Sequence, residues 1–262
     1  MTDWLALCRA AVADVQDVLN ELPLRGDREP VVGMGKGGDE TTAIDAAAEA
    51  AALMRFREID GVTIVSEEVG IVGSGGVHVV VDPIDGSVNA KRGIRFFSIS
   101  IAIASGSKMA DVDFGFVHDF GTGEEWTAAR GEGARLDGSL LDGDIPKDPI
   151  EILSFEATRT DLVAQKAGAF VELADRLRIM GSLALSLCHL AAGRVDAVCS
   201  LKPARSVDIA AAQLLVRERG LAIELPDDPP FGEARLDLEG RSRVVAAGTP
   251  HACRQLAAAL SA

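Results

Sequence analysis

Val79-Val80-Val81-Asp82-Pro83-Ile84-Asp85-Gly86-Ser87 is the stretch whose reading decides the fold. An apolar β-branched run ends in two carboxylates three residues apart, and Pro83 fixes the backbone between them. Gly86 and Ser87 then supply a permissive amide and a hydroxyl. Carboxylates bind hard cations and turn amides bind phosphate oxygens, so this short piece can hold both halves of a metal–phosphate site. The rest of the chain must supply the missing ligands.

The frame around it is that of a soluble globular protein. A chain of 262 residues can form one large core or two half-domains sharing an interface. Its formal net charge of -14 excludes a general nucleic-acid binder, whose affinity rests on a basic surface. The same charge repels phosphorylated substrates, so a phosphate-handling site here needs metal ions or a local arginine cluster. Cys8, Cys188, Cys199 and Cys253 are scattered without metal spacing and read as buried free thiols in a reducing compartment. Asp3, Arg9 and Asp14 interrupt the N-terminal segment, which is therefore not expected to be a signal peptide, and no apolar run is long enough to span a bilayer. The expected location is the cytoplasm.

Upstream of the opening stretch, Trp4, Cys8, Ala11, Val15, Val18 and Leu22 form the apolar stripe of a helix that Pro23 ends. Leu24 to Asp39 reads as a glycine-rich loop. Within it, residues 33–38 formally match GxGxxG, but the preceding Val31-Val32 is too short a lead for the strand of a dinucleotide-binding βαβ unit. Thr41 and Thr42 can cap a helix whose inward residues are Ile44, Ala47, Ala48, Ala51 and Met54. Val62 to Val65 reads as a strand leading into Ser66-Glu67-Glu68.

Downstream, Lys91 to Arg95 is a basic connection. The next strand alternates Phe97, Ile99, Ile101 and Ile103 with the small residues Ser98, Ser100, Ala102 and Ala104, a face on which a helix can lie close. Asp111 to Val117 reads as its antiparallel partner, and Trp126 to Gly138 as a further strand pair. A Gly/Pro/Asp stretch from Asp142 to Pro149 marks a boundary between residues 1–141 and 142–262. The second half alternates strands (152–155, 177–180, 195–201, 221–225, 243–247) with helices (162–173, 182–192, 207–219 and from Pro250), the pattern of a sheet covered by helices.

Four carboxylates, Glu67, Asp82, Asp85 and Asp208, stand at the ends of apolar segments, where α/β proteins place their sites. Helix-dipole stabilisation alone accounts for Asp45 and Asp208, each in a first turn, and a solvated turn accounts for Glu67 and Glu68. Together the four match a two-metal cluster, in which ions ~3.5–4 Å apart serve an in-line displacement. Mg2+ suits such oxygen coordination.

The runs Ser66-Glu67-Glu68-Val69-Gly70, Asp82-Pro83-Ile84-Asp85-Gly86-Ser87-Val88-Asn89, Gly181-Ser182 and Val207-Asp208-Ile209-Ala210-Ala211 resemble the inositol monophosphatase and fructose-1,6-bisphosphatase superfamily of metal-dependent phosphatases. Gly33-Met34-Gly35 and Asn89-Ala90-Lys91 look most like its archaeal, dual-specificity branch. The resemblance implies an α/β (α+β) fold, layered as an α/β/α/β/α sandwich, and a homodimer. It implies that residues 1–141 carry most of the metal ligands, while residues 142–262 carry Asp208 and the specificity residues. Glu67, Asp82 and the Ile84 carbonyl would hold one Mg2+, and Asp82, Asp85 and Asp208 a second; Mn2+ can substitute. A third ion would be recruited through Glu67 and the glycine loop, with Asp39 as the loop carboxylate. Asp45 and Ser87, beside Glu67, would orient and help deprotonate the attacking water, and the amides of Gly86 and Ser87 would cradle the phosphate.

Substrate-binding candidates are Ser182, Lys202 and Arg205, each with an ordinary alternative as an N-cap or a solvated cation. The reaction expected is hydrolysis of fructose 1,6-bisphosphate, inositol 1-phosphate or both. A 3'-phosphonucleotide phosphatase is a rival within the same chemistry, disfavoured by an aromatic content of only 4%. A nicotinamide-dependent oxidoreductase using the 33–38 loop and a non-catalytic phosphosugar-binding protein are rivals of other classes.

Overall fold

The computed structural model describes residues 2–143, 149–156, 159–227 and 230–261. The boundary expected at Asp142 to Pro149 lies mostly outside these residues. Helix α1 (Trp4–Glu21) is followed by the short α2 (Arg25–Arg28) and an antiparallel hairpin of β1 (Val31–Met34) and β2 (Glu40–Thr42). The segment 24–39 is thus more than the expected loop. Val31 and Val32 are half or more exposed, so this pair makes a local hairpin and not a core strand.

Then come α3 (Ala43–Arg57), β3 (Val62–Ser66), β4 (Gly70–Gly73), β5 (Val77–Asp85), α4 (Ser87–Arg92), β6 (Ser98–Ala104), β7 (Val112–Asp119), β8 (Glu125–Ala129), β9 (Gly133–Leu136) and β10 (Ser139–Leu140). Eight strands join in the order β10-β9-β8-β7-β6-β5-β3-β4, all antiparallel neighbours except β3 and β5. The remaining elements are β11 (Ile150–Glu156), α5 (Thr160–Lys166), β12 (Ala174–Arg178), α6 (Leu183–Ala191), β13 (Ala197–Ser200), α7 (Ser206–Glu218), β14 (Ala222–Glu224), β15 (Val245–Ala247) and α8 (Pro250–Ser261). Five strands form the second sheet, in the order β12-β11-β13-β15-β14.

Alternation along the central strands explains the layers. Val79 and Val81 of β5, with Ile99, Ile101 and Ile103 of β6, pack against α1 and α3. On the opposite face, Val80, Ala102 and Ala104 meet α6 and α7, which also cover the second sheet through Val198 and Ala246. The far face of that sheet, with Leu153, Phe155 and Cys199, packs on α8 and on Leu162 and Val163 of α5. The result is the expected α/β/α/β/α sandwich. Small residues set the closeness of the middle layer: a Cβ at Gly115 of β7 would lie 2.5 Å from the Ala211 carbonyl of α7.

Two local expectations are corrected. Met54 is 56% exposed, and α3 turns Leu53 and Phe56 inward in its place, because Ala48, Ala52 and Phe56 continue the i, i+4 row from Ile44. The helix expected over 162–173 ends at Lys166 and gives way to a tight turn, with Glu172 in the left-handed region (φ 71°). The following strand accordingly starts at Ala174, earlier than expected.

Candidate active site

One pocket of about 550 Å³ gathers the ends of these elements. Glu67 follows the end of β3, and Asp82 and Asp85 end β5; Asp45 lies in the first turn of α3 and Asp208 in that of α7. All five line the pocket, as do Asp39, Ile84, Gly86, Ser87, Lys202 and Arg205. Every residue singled out in the sequence is therefore at this pocket or, for Ser182, bonded to it.

Asp82 is buried, and its Oδ1 accepts the Ile84 amide at 3.0 Å, a tight turn across Pro83. Asp85 accepts the Ser182 hydroxyl at 2.5 Å and the Ala184 amide at 2.7 Å, which ties β5 to the start of α6. Ser182 also caps α6 by accepting the Leu185 amide, so its ordinary role and its contact with Asp85 coexist. Asp208 accepts the Arg205 amide at 2.7 Å and Asp45 the Thr42 amide at 3.1 Å, so each closes the first turn of its helix as well as favouring the helix dipole. Ser87 opens α4 and donates its hydroxyl to the Ile84 carbonyl at 3.0 Å. Gly86 before it has φ 98°, and a Cβ there would lie 3.0 Å from the Gly181 carbonyl, so only glycine fits.

Carboxylate oxygens of Glu67, Asp82 and Asp208 lie within 4.8 Å of one another. Oδ1 of Asp45 is buried with no hydrogen-bond partner. A buried anionic oxygen left unpaired is costly, and a divalent cation or its water is the partner such an oxygen suits. A second, small void of about 10 Å³ lies among Asp45, Glu67, Asp82, Ser87 and their neighbours. The donor set therefore fits a hard divalent ion.

The electrostatics agree. Burial, opposed by Arg205 and reinforced by Asp208 and Glu68, raises the Glu67 carboxyl to about 7. Burial and then Asp208 raise Asp85 to about 7, against the opposing Ser182 hydrogen bond. Asp82 is raised well above the carboxylate range by burial, then by Asp85, Glu67 and Asp208. Each shift favours the protonated carboxyl, so a cation binding here would displace protons.

Arg205 does not stand out toward a substrate. Its Nη1 lies 2.6 Å from Glu67 Oε1 and 3.1 Å from Asp39 Oδ2, and its side chain is only 11% exposed. Lys202 is exposed at the rim.

Three further residues escaped the sequence reading. Glu156, at the end of β11, is buried; it accepts the Gly181 amide at 3.0 Å and the Ser186 and Ser154 hydroxyls at 2.6 and 3.1 Å. It carries the signal used for Asp82, a carboxylate closing an apolar run. Glu49 accepts the Ser66 hydroxyl and the amides of Glu68 and Val69, which fixes the turn presenting Glu67. Its signal is a glutamate one turn beyond Asp45 on the buried face of a helix. Arg241 donates to the Gly37 carbonyl, and nothing local in the sequence marks it. The Gly33–Gly38 segment belongs to the β1–β2 hairpin, bounded by strands on both sides, and does not join a strand to a helix as a dinucleotide loop does.

Residues 5–262 match the family model described as the inositol monophosphatase family. A relative from Archaeoglobus fulgidus, named fructose-1,6-bisphosphatase/inositol-1-monophosphatase, is 34% identical over 94% of this chain and 93% of its own length. A relative from Pasteurella multocida, named Nus factor SuhB, is 35% identical over 70% of each chain. Among solved structures, one described as an inositol monophosphatase–fructose 1,6-bisphosphatase superposes with a TM-score of 0.86 at 26% identity, covering 98% of this chain and all of that one.

Proposed function

The chain belongs to the inositol monophosphatase family and is a phosphoric monoester hydrolase, and from that premise we propose that it is a Mg2+-dependent enzyme hydrolysing fructose 1,6-bisphosphate, inositol 1-phosphate or both. The observation that carries the reading is the convergence of Glu67, Asp82 and Asp208, from three separate segments, within 4.8 Å of one another at the same pocket as Asp85 and the unpartnered Asp45 oxygen. In it, Glu67, Asp82 and the Ile84 carbonyl would hold one ion, and Asp82, Asp85 and Asp208 would hold a second. When bound, the ions lower the pKa of water and neutralise charge developing on the leaving oxygen.

The chain's own groups do the rest. Asp45 Oδ1, with no other partner, accepts a proton of the attacking water. Ser87 spends its donor on the Ile84 carbonyl, so its lone pairs are left to orient that water. The first turn of α4, with Gly86 and Ser87, faces the phosphate, and the exposed Lys202 faces the alcohol portion, while the buried Ser182 serves by holding Asp85. Residues 1–141 are thus the half with most ligands, and 142–262 the half with Asp208 and specificity. A cytoplasmic homodimer belongs to the same reading, supported by the family resemblance; among the described residues no helix is long and apolar enough to cross a membrane.

A phosphate-release panel tests the substrate class. The expected result is turnover of fructose 1,6-bisphosphate or inositol 1-phosphate in preference to a 3'-phosphonucleotide. Preference for the nucleotide, or turnover of none, contradicts it.

A further inference from the structure

Arg205 was expected to meet substrate, yet it is turned into the acidic cluster. One nitrogen, Nη1, serves both Glu67 Oε1 at 2.6 Å and Asp39 Oδ2 at 3.1 Å, while Nε lies 3.6 Å from Asp208 Oδ1. The residue is held there by more than charge. Its amide is fixed on Asp208 at 2.7 Å, at the start of α7, and its side chain is almost wholly withdrawn from water. The hairpin tip is secured on the same side by Arg241 on the Gly37 carbonyl, and by the Lys36 and Gly37 amides on the carbonyls of Glu68 and Glu67 at 3.1 and 2.8 Å.

An ion shared by Glu67 and Asp39 would need the space Nη1 fills, because Mg2+ coordinates oxygen at about 2.0–2.1 Å and demands a near-ideal octahedron around itself. It would also sit against a guanidinium that does not lose its charge at any ordinary pH. Asp39 stands apart from the group of Glu67, Asp82 and Asp208 whose oxygens lie within 4.8 Å of one another.

We propose that Arg205 is a built-in cation that takes the place of a third metal ion between Glu67 and Asp39, so that this chain binds two divalent ions and no more. The inference rests on the two-metal reading above. It also gives the hairpin a purpose, since Asp39 reaches the site through the arginine and closes the tip over it without a metal.

Burial by itself lowers the Arg205 pKa, but Asp208, Glu67, Asp82 and Asp39 outweigh it and the guanidinium stays charged. The guanidinium therefore keeps its charge throughout, and its pairing with Glu67 is complete where that carboxylate is ionised, above about pH 7.

The test counts Mn2+ bound to the substrate-free full chain, by equilibrium dialysis with electron paramagnetic resonance, in the wild type, Arg205→Met and Asp39→Asn. Wild type should bind two ions per chain and Arg205→Met three, because removing the guanidinium frees Glu67 and Asp39. Asp39→Asn, a change at a half-exposed position that spares the fold, should leave the count at two. Three ions in the wild type, an equal count in wild type and Arg205→Met, or an ion lost in Asp39→Asn overturns the proposal. No ion bound by any of the three proteins overturns the metal-dependent reading itself, a result distinct from an equal count of two.

Discussion

Loading the site with Mg2+ should release protons, and the number should depend on pH in a way the structure sets. Glu67 and Asp85 are both raised to about 7, chiefly by burial. At pH 6 each is then about 90% protonated, and at pH 8.5 almost fully ionised. Cation binding requires the carboxylates, so loading at pH 6 expels about two more protons than loading at pH 8.5. Apparent affinity should be about 100-fold weaker at pH 6 than at pH 8, roughly tenfold for each of the two groups. The same shifts act on the metal-free fold. A carboxyl whose folded pKa lies above its unfolded value binds more protons when folded, so stability falls as pH rises from about 4 to 7 and levels off above. Glu67 taken alone accounts for about 3 kcal/mol of that fall. Titration calorimetry of Mg2+ in two buffers of different ionisation enthalpy counts the protons directly. An equal count at pH 6 and pH 8.5 would refute the reasoning.

Other consequences can be checked independently. Asp208→Asn should lower kcat/KM by about 100-fold or more, since even groups that only support a ligand are worth roughly 10–100-fold; steady-state phosphate release decides it. Glu156→Ala should lower kcat by about 10–100-fold with little change in KM, by freeing the Gly181 and Ser182 turn that holds Asp85. Glu156→Gln, which can still accept the Gly181 amide, should recover most of that loss. Ile101→Ala, at a position with no exposure in β6, should cost about 2–5 kcal/mol in urea denaturation and leave activity per folded molecule unchanged. Gly115→Ala should cost about 1–3 kcal/mol in the same assay, because its methyl meets the α7 backbone.

How far these features were legible in the sequence depended on how local their causes are. The β5 run could be read because a strand buried on both faces is continuously apolar, and a carboxylate at its end stands out. The alternation of Phe97 to Ala104 showed both its isoleucine face and the small face that receives α7, because strand periodicity is strict. Met54 was misplaced because an alanine-rich helix offers several stripes of nearly equal hydrophobicity, and Leu53 and Phe56 decide among them only once packed. α5 gives way at Lys166 to a tight turn over Ala167–Phe170, and Glu172 beyond it adopts a left-handed backbone that no residue type there announces. Arg205 was read as a substrate cation because its position three residues before Asp208 says nothing of where a long side chain turns. It faces Asp39, 166 positions away in sequence, a pairing made only by the meeting of the hairpin with α7. Glu156 was legible by the rule that found Asp82 and was passed over because no second carboxylate follows it.

The most direct test of the central account is phosphate release from fructose 1,6-bisphosphate and inositol 1-phosphate by the full chain after chelation, then through a Mg2+ titration, in wild type and Asp82→Asn. The account predicts no turnover after chelation, full recovery with Mg2+ in the wild type, and no recovery in Asp82→Asn even at saturating Mg2+. Turnover that persists after complete removal of divalent ions, or an Asp82→Asn protein as active as the wild type, would contradict it.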